Sequence, residues 1–477
     1  MTVQPQQLTD QTVLVYEDDP GPPPGIAPVR HLVPQLETQP FPTAIAQPAP
    51  HPNGAGPGTP EFRYWVAADA LSSASRMWGT LVPAGTQWFP TVGRMLTAHL
   101  DEGVDLNAVY DRRGLKFFHK TVAGVDVFSA QSPEVVRHEL GHAVLDALRP
   151  QLFDAAMHEA DAFHEAFGDI SALLTSLQME SLRTVVLTET QGNLELSSRV
   201  SRMAEQLGWA IRQLHPELVD SDSLRNMSNS FFYRDPVQLP PLGPANTLAS
   251  EPHSFSRVFS GAFLKIVARI FEQQPAQDQA GLAKAAEISS QLLVDAIVAS
   301  PVVSAYYAQI AGHMIAADQR RFGGAHGQSL RSAFVRHGIL SVEAATSMTA
   351  AEITRRSIGI AEAMPGGSND QGLLTAVTVQ GTMYGIKGPI TLNAPGEVRR
   401  FGIAGSDPAG GSLRPADPEQ VATSYLEDLL RRGRVDVPAE HRTDTAVVDD
   451  NPSRLKTHEI TRSETAGGLT LVRRCFD

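Results

Sequence analysis

The chain has 477 residues, 42% of them apolar, which is enough for two or three domains around a sizeable core. A formal charge of -13 leaves no electrostatic basis for a nucleic-acid partner, and the single cysteine, Cys475, excludes an intrachain disulfide. No stretch reaches the roughly eighteen apolar residues of a membrane span, and Met1 to Asp19 lacks a basic start followed by an apolar run. The protein is therefore expected in the cytoplasm, or exported by a route without a classical signal peptide. Nothing in the sequence sets its oligomeric state.

Residues 1–60 hold one strand-like run, Thr12 to Tyr16, followed by stretches rich in proline, glycine and alanine. Such a composition buries little apolar surface and reads as a largely disordered tail, and as a poor folded prosegment. Globular sequence starts near Phe62, with a helix expected from Ala67 to Trp78. Two short strands then flank the turn Asp111-Arg112-Arg113-Gly114: Leu106 to Tyr110 and Gly114 to His119. An exposed edge of such a sheet can hold an extended peptide by its backbone.

Ser132-Pro133-Glu134 combines an N-cap hydroxyl, a proline at the first helical position and an acid in the first turn, and Pro150 ends the helix it starts. Within that helix stands His138-Glu139-Leu140-Gly141-His142. Residues four apart share a helix face, so two imidazoles can hold a zinc ion while Glu139 takes a proton from water. The bland alternative, a histidine pair on a surface helix, is excluded only if a third ligand follows. The next helical run, Ala155 to Leu177, is dense in ligand-type residues. Glu165 and Asp169 lie four apart on it, so that one can complete a metal site while the other supports a ligand histidine. Glu159 and Asp161 are the competing acids.

Helical spacing continues over Ser198 to Leu214, Ser254 to Gln273, Ala276 to Ala299, Val302 to Phe322 and Gln328 to His337. From about Leu340 the pattern changes. Helices are expected after Thr349-Ala350-Ala351-Glu352 and from Asp417 to Arg432, with strands at Thr375 to Gln380, Pro389 to Leu392, Leu455 to Thr461 and Leu469 to Arg473. This reads as a small α+β appendage.

The motifs in this order resemble the thermolysin family of zinc endopeptidases, a group of gluzincins, over roughly Phe62 to Leu340. Asn107-Ala108-Val109-Tyr110 is similar to the strand that binds substrate backbone, and His164-Glu165-Ala166-Phe167-Gly168-Asp169 to the segment carrying the third ligand. Ser223 to Ser228 resembles the segment whose arginine binds the substrate carbonyl, and His253 stands where the transition-state histidine falls. The metzincin alternative fails, because Leu145 and Leu148 occupy its glycine and histidine positions.

The resemblance implies an α+β, two-lobed peptidase, with a sheet-containing lobe over 61–180 and an all-helical lobe over 181–340, to which the residue pattern adds an accessory α+β domain over 341–477. It implies one zinc ion on His138, His142 and Glu165, with Asp169 supporting a ligand histidine. Glu139, Arg225 and His253 would be catalytic, and Asn107, Ala108, Val135 and Leu224 would bind substrate, favouring cleavage before apolar residues. The chain also departs from the pattern. No tyrosine lies between His142 and Glu165, where Phe153 is nearest in position, and the acid that orients the histidine has only Glu251 as a counterpart. Of the calcium ligands Glu134 alone matches, with Ser176 near another, which puts Ca2+ in doubt. The expected function is thus zinc-dependent hydrolysis of a peptide or protein substrate. Its rival is a weak or inactive zinc-containing protein-binding module on the same fold, and the appendage is the expected cover for the cleft.

Overall fold

The computed structural model describes residues 11–52, 56–347, 374–396, 417–443, 451, 454–463 and 468–476. The first described segment differs from a tail. Strands β1 (Thr12–Val15) and β2 (Val29–Leu32) pair antiparallel, and β3 (Thr43–Ile45) joins the main sheet. Val13, Val15 and Phe41 from this segment are buried in the main core. Their order comes from partners far along the chain, which local composition does not encode.

Helix α1 (Pro60–Leu81) starts seven residues before the expected Ala67, because the Thr59 hydroxyl caps Phe62 N–H and a proline occupies the first turn. Strand β4 (Leu96–His99) then pairs in parallel with β3, followed by β5 (Ala108–Tyr110) and β6 (Gly114–Phe117). The sheet order is β3-β4-β6-β5, so β5 is an edge. A hairpin follows, β7 (His119–Val122) with β8 (Val125–Phe128), turned through Ala123 and Gly124, both at positive φ.

Helix α2 (Pro133–Leu148) carries the His-Glu-x-x-His pattern and begins as its cap chemistry predicts, with the Ser132 hydroxyl accepting from Val135 N–H. A short α3 (Gln151–Asp154) leads to α4 (His158–Ser176), every residue of which is buried. Helix α5 (Glu180–Thr190) is followed by β9 (Arg202–Met203), α6 (Glu205–Leu214) and β10 (Arg225–Asn226). The helix expected over Ser198 to Leu214 is confined to α6, because Arg202 and Met203 pair with Asn226 and Arg225, and Ala204 turns at positive φ. The largely helical remainder comprises α7 (Pro252–Glu272), α8 (Gln279–Ala299), α9 (Tyr306–Phe322), α10 (Gly327–Arg336) and α11 (Val342–Ser347). Phe163 of α4 packs against Phe259 and Tyr306, joining the two lobes around one helix. No helix among the described residues is long and apolar enough to cross a membrane.

The appendage contains β11 (Leu374–Gln380), β12 (Pro389–Pro395), α12 (Pro418–Arg431), β13 (Val435–Asp436), β14 (His458–Arg462) and β15 (Leu469–Arg473). Its sheet runs β11-β12-β15-β14-β13, and Tyr425, Leu426 and Leu429 of α12 close the core beneath it. The helix expected after Thr349 lies outside the described residues. The architecture is therefore α+β: a region mixing sheets with helices, a largely helical region, and a small sheet-bearing appendage.

The appendage docks against the start of α4. Ala156 N–H donates to Asn393 O at 2.7 Å, His158 Nε2 meets Asp428 Oδ2 at 2.9 Å, and Tyr425 OH donates to Asp161 Oδ2 at 2.9 Å. These contacts account for His158 and Asp161, two of the ligand-type residues that crowd this helix in the sequence.

Candidate metal centre

Helices α2 and α4 cross closely enough to share a site because both carry glycine at the contact. A Cβ at Gly141 would stand 2.8 Å from Ser171 Cβ, and one at Gly168 only 2.5 Å from the His138 ring. Gly168→Ala is therefore expected to displace His138, costing about 1–3 kcal/mol of stability by overpacking. Zinc affinity should fall in parallel, which thermal unfolding combined with zinc titration checks.

His138, Glu139 and His142 form a buried cluster whose ligand atoms all lie within 4.8 Å of one another. Neither ring nitrogen of His142 has a hydrogen-bond partner among the described residues, although the residue is fully buried. An orphaned imidazole of this kind fits a metal ligand. Glu165 comes from α4 to the same place, with one oxygen 3.4 Å from His138 Nε2 and the other 3.7 Å from His142 Nε2. Tetrahedral ligands about 2.0–2.1 Å from zinc stand roughly 3.3–3.4 Å apart, so the residues present fit the ion. Such an ion would be held by His138, His142 and Glu165.

Around this cluster the side chains are tied in sequence. His138 Nδ1–H donates to Asp169 Oδ1 at 3.0 Å, which turns Nε2 toward Glu165. Asp169 also accepts from Arg225 Nε at 2.8 Å and from its Nη2 at 2.6 Å. On the facing side His253 Nε2 lies 3.1 Å from Glu165 Oε2, while its Nδ1–H donates to Glu251 Oε1 at 2.7 Å. Glu251 is thus the acid that orients His253, and it caps α7 as well by accepting from Ser254 N–H.

Charges in the site are set by these pairs. Burial depresses the His138 imidazole, but Asp169 and Glu165 outweigh it and raise the group to about 9. Burial pushes His142 down to about 3. For Glu165 burial acts upward, yet the imidazoles of His253 and His142 hold it well below the usual carboxylate range. Asp169 is likewise lowered against its burial, mainly by Arg225. Glu251 falls to about 2 through His253, despite burial, and His253 is raised by Glu165 and Glu251. Burial likewise lowers His164 beside His142, so without a metal the site sets carboxylates and cations around two neutral imidazoles.

The remaining expected residues surround a cavity of about 60 Å³. Asn107, Ala108, Val135 and Leu224 line it with Glu139, Arg225 and His253, and Met203 and Leu207 complete its apolar wall. A larger cavity of about 340 Å³ adjoins it, sharing Asn107, Leu224, Arg225 and His253, and reaches Arg434 of the appendage.

The competing acids point elsewhere. Glu159 accepts from Tyr233 OH at 2.6 Å and from Tyr307 N–H at 2.7 Å, and Asp161 is held by Tyr425 and Arg473. Glu134 accepts from Ala204 N–H, and Ser176 Oγ from Arg137. Where a tyrosine is missing, Phe153 packs edge-on to Phe476 at 5.2 Å. Phe476 belongs to no motif or spacing pattern in the sequence, and Met203 and Leu207 fall in the helical spacing of Ser198 to Leu214, which does not mark them as pocket residues. No protein-family model matches this chain, and no curated protein matches it.

Proposed function

We propose that this protein is a zinc-dependent endopeptidase of the thermolysin type. The observation that carries the reading is the convergence of His138, His142 and Glu165 at ligand spacing, with Glu139 inside the same buried cluster. Zinc, when bound, supplies a Lewis acid that polarises a peptide carbonyl and makes water acidic near neutral pH.

The chain's own residues supply the rest. Glu139 takes the proton of the attacking water and hands it to the leaving amine, a general acid–base role that requires its carboxylate to stay on the reacting side of His138. Arg225 and His253 line the same cavity as Glu139 and donate to the carbonyl oxygen as it gains charge. Each such donor is worth about 3 kcal/mol of transition-state stabilisation in comparable sites. Asp169 fixes both His138 and Arg225, which couples ligand orientation to the oxyanion donor. With no tyrosine hydroxyl in the 142–165 segment, Arg225 and His253 carry this load between them.

Asn107 and Ala108 hold substrate backbone at the β5 edge. The leaving-group side chain enters the pocket of Val135, Met203, Leu207 and Leu224, whose apolar walls favour Leu, Ile, Val or Phe.

Ligand assignment is tested by paired substitutions. Glu165→Ala should lose stoichiometric zinc, whereas Glu159→Gln should keep it, because Glu159 is committed to Tyr233 and Tyr307. Elemental analysis of the two purified variants checks this, and the reverse pattern would refute the assignment.

A further inference from the structure

Beyond β15 the backbone continues from the appendage to the edge strand β5. Phe476 N–H donates to Tyr110 O at 3.0 Å, in an antiparallel bridge with the last residue of β5. That edge strand begins beside Asn107 and Ala108, which line the cavity containing Glu139. The Phe476 ring is 2% exposed and stacks on His164 at 4.0 Å and on His142 of the metal cluster at 5.1 Å.

Arg473 anchors the approach. It donates to Phe153 O at 2.9 Å and to Tyr425 OH at 2.6 Å, pairs with Asp161, and lies over the Phe476 ring at 4.2 Å. After this anchor Arg474 N–H donates to Thr457 O, the Arg474 guanidinium pairs with Glu459 and Asp436, and Phe476 N–H donates to Tyr110 O.

A segment that adds its backbone to a sheet edge and sinks an aromatic side chain beside the reacting groups makes the contacts of a bound peptide. Its direction matches as well. Phe476 bridges Tyr110 in the antiparallel sense, the sense required of a peptide whose leaving-group side chain enters the Val135 and Leu224 pocket.

We propose that Arg474–Phe476 is an internal occupant of the acyl-side half of the substrate cleft, so that a polypeptide extended on the amino side of its scissile bond binds only when this segment leaves. The proposal rests on the peptidase reading for the identity of the cleft. Phe476 and a substrate residue compete for the same carbonyl of Tyr110 and the same surface of His142 and Phe153. A peptide with a single residue before the bond does not reach Tyr110 and escapes the competition.

The test uses zinc-loaded full-length protein carrying Glu139→Gln, with and without the residues from Arg474 onward. Two labelled probes are compared by fluorescence anisotropy, the octapeptide Ala-Ala-Ala-Phe-Leu-Ala-Ala-Ala and the tripeptide Phe-Leu-Ala. Removal of the segment should tighten octapeptide binding by about tenfold or more, as expected when a competing closed state is abolished, and leave the tripeptide unchanged. Free Arg-Arg-Cys-Phe-Asp should displace the octapeptide from the shortened protein. Equal or weaker octapeptide binding, with metal content and unfolding temperature retained, would overturn the proposal.

A second measurement needs no deletion. In the full-length Glu139→Gln protein, saturating octapeptide should speed hydrogen exchange at the Phe476 amide, and continued protection with the peptide bound would also overturn it. Binding separates this idea from the catalytic one. A shortened protein with Glu139 intact that cuts no peptide, although shortening raises affinity, refutes the peptidase and keeps the occupant, and cleavage without any gain in affinity does the reverse.

Discussion

Glu139→Gln should leave the fold and the metal in place while lowering peptide hydrolysis by about 10²–10⁴-fold, the range supplied by a positioned general base. Glutamine has the same shape but cannot accept the proton, so the loss falls on kcat rather than on substrate affinity. Glu139 is 2% exposed and lies within the cluster of His138 and His142, close enough to serve water held there. A quenched peptide with Leu after the scissile bond, assayed against both proteins at equal zinc content, reads the effect. Cleavage at the wild-type rate in the variant would remove Glu139 from the mechanism and require a different base.

Asp169→Ala is expected to damage both stability and metal binding. The carboxylate is fully buried and satisfies His138 and the Arg225 guanidinium together, so its removal leaves a buried cation without its principal partner. Breaking such a pair costs about 3–5 kcal/mol, and losing a hydrogen bond to a ligand histidine lowers metal affinity about 10–100-fold. The two effects separate in a double variant. Asp169→Leu with Arg225→Met restores an apolar contact in place of the charge pair and should recover much of the stability, while zinc affinity stays low. Denaturant unfolding of the metal-free proteins and a zinc titration measure the two quantities independently. Wild-type zinc affinity in Asp169→Ala would show that His138 needs no support.

The parts of this site that are legible in the sequence are those whose geometry is local. Helix α2 announces itself by Ser132-Pro133-Glu134, and the four-residue spacing of His138 and His142 fixes a shared face without knowledge of any other element. Glu165 and Asp169 are paired by the same spacing on α4. Which acid of α4 meets the histidines is not local, since Glu159, Asp161 and Glu165 differ in sequence only by position. Their separation depends on Tyr233, Tyr307 and Tyr425 arriving from other elements to take the first two.

The same physics explains the misread segments. Strand β3 is three residues long and acquires its identity from β4, so no alternation within Thr43–Ile45 could reveal it. The start of α1 is legible at Thr59-Pro60-Glu61, which repeats the cap chemistry of α2, although the expected helix begins only at Ala67. Ser198 to Leu214 has helical apolar spacing, yet pairing between β9 and β10 outweighs propensity over its first part. Phe476 is the extreme case: apart from Arg473, the partners named for it, from Tyr110 to His164, lie in another part of the chain.

The most direct test is a crystal structure of the zinc-loaded protein with diffraction recorded on both sides of the zinc absorption edge. One anomalous peak is predicted, about 2.0–2.2 Å from His138 Nε2, His142 Nε2 and an oxygen of Glu165. A peak placed elsewhere, or none in protein that carries stoichiometric zinc by elemental analysis, would contradict the account.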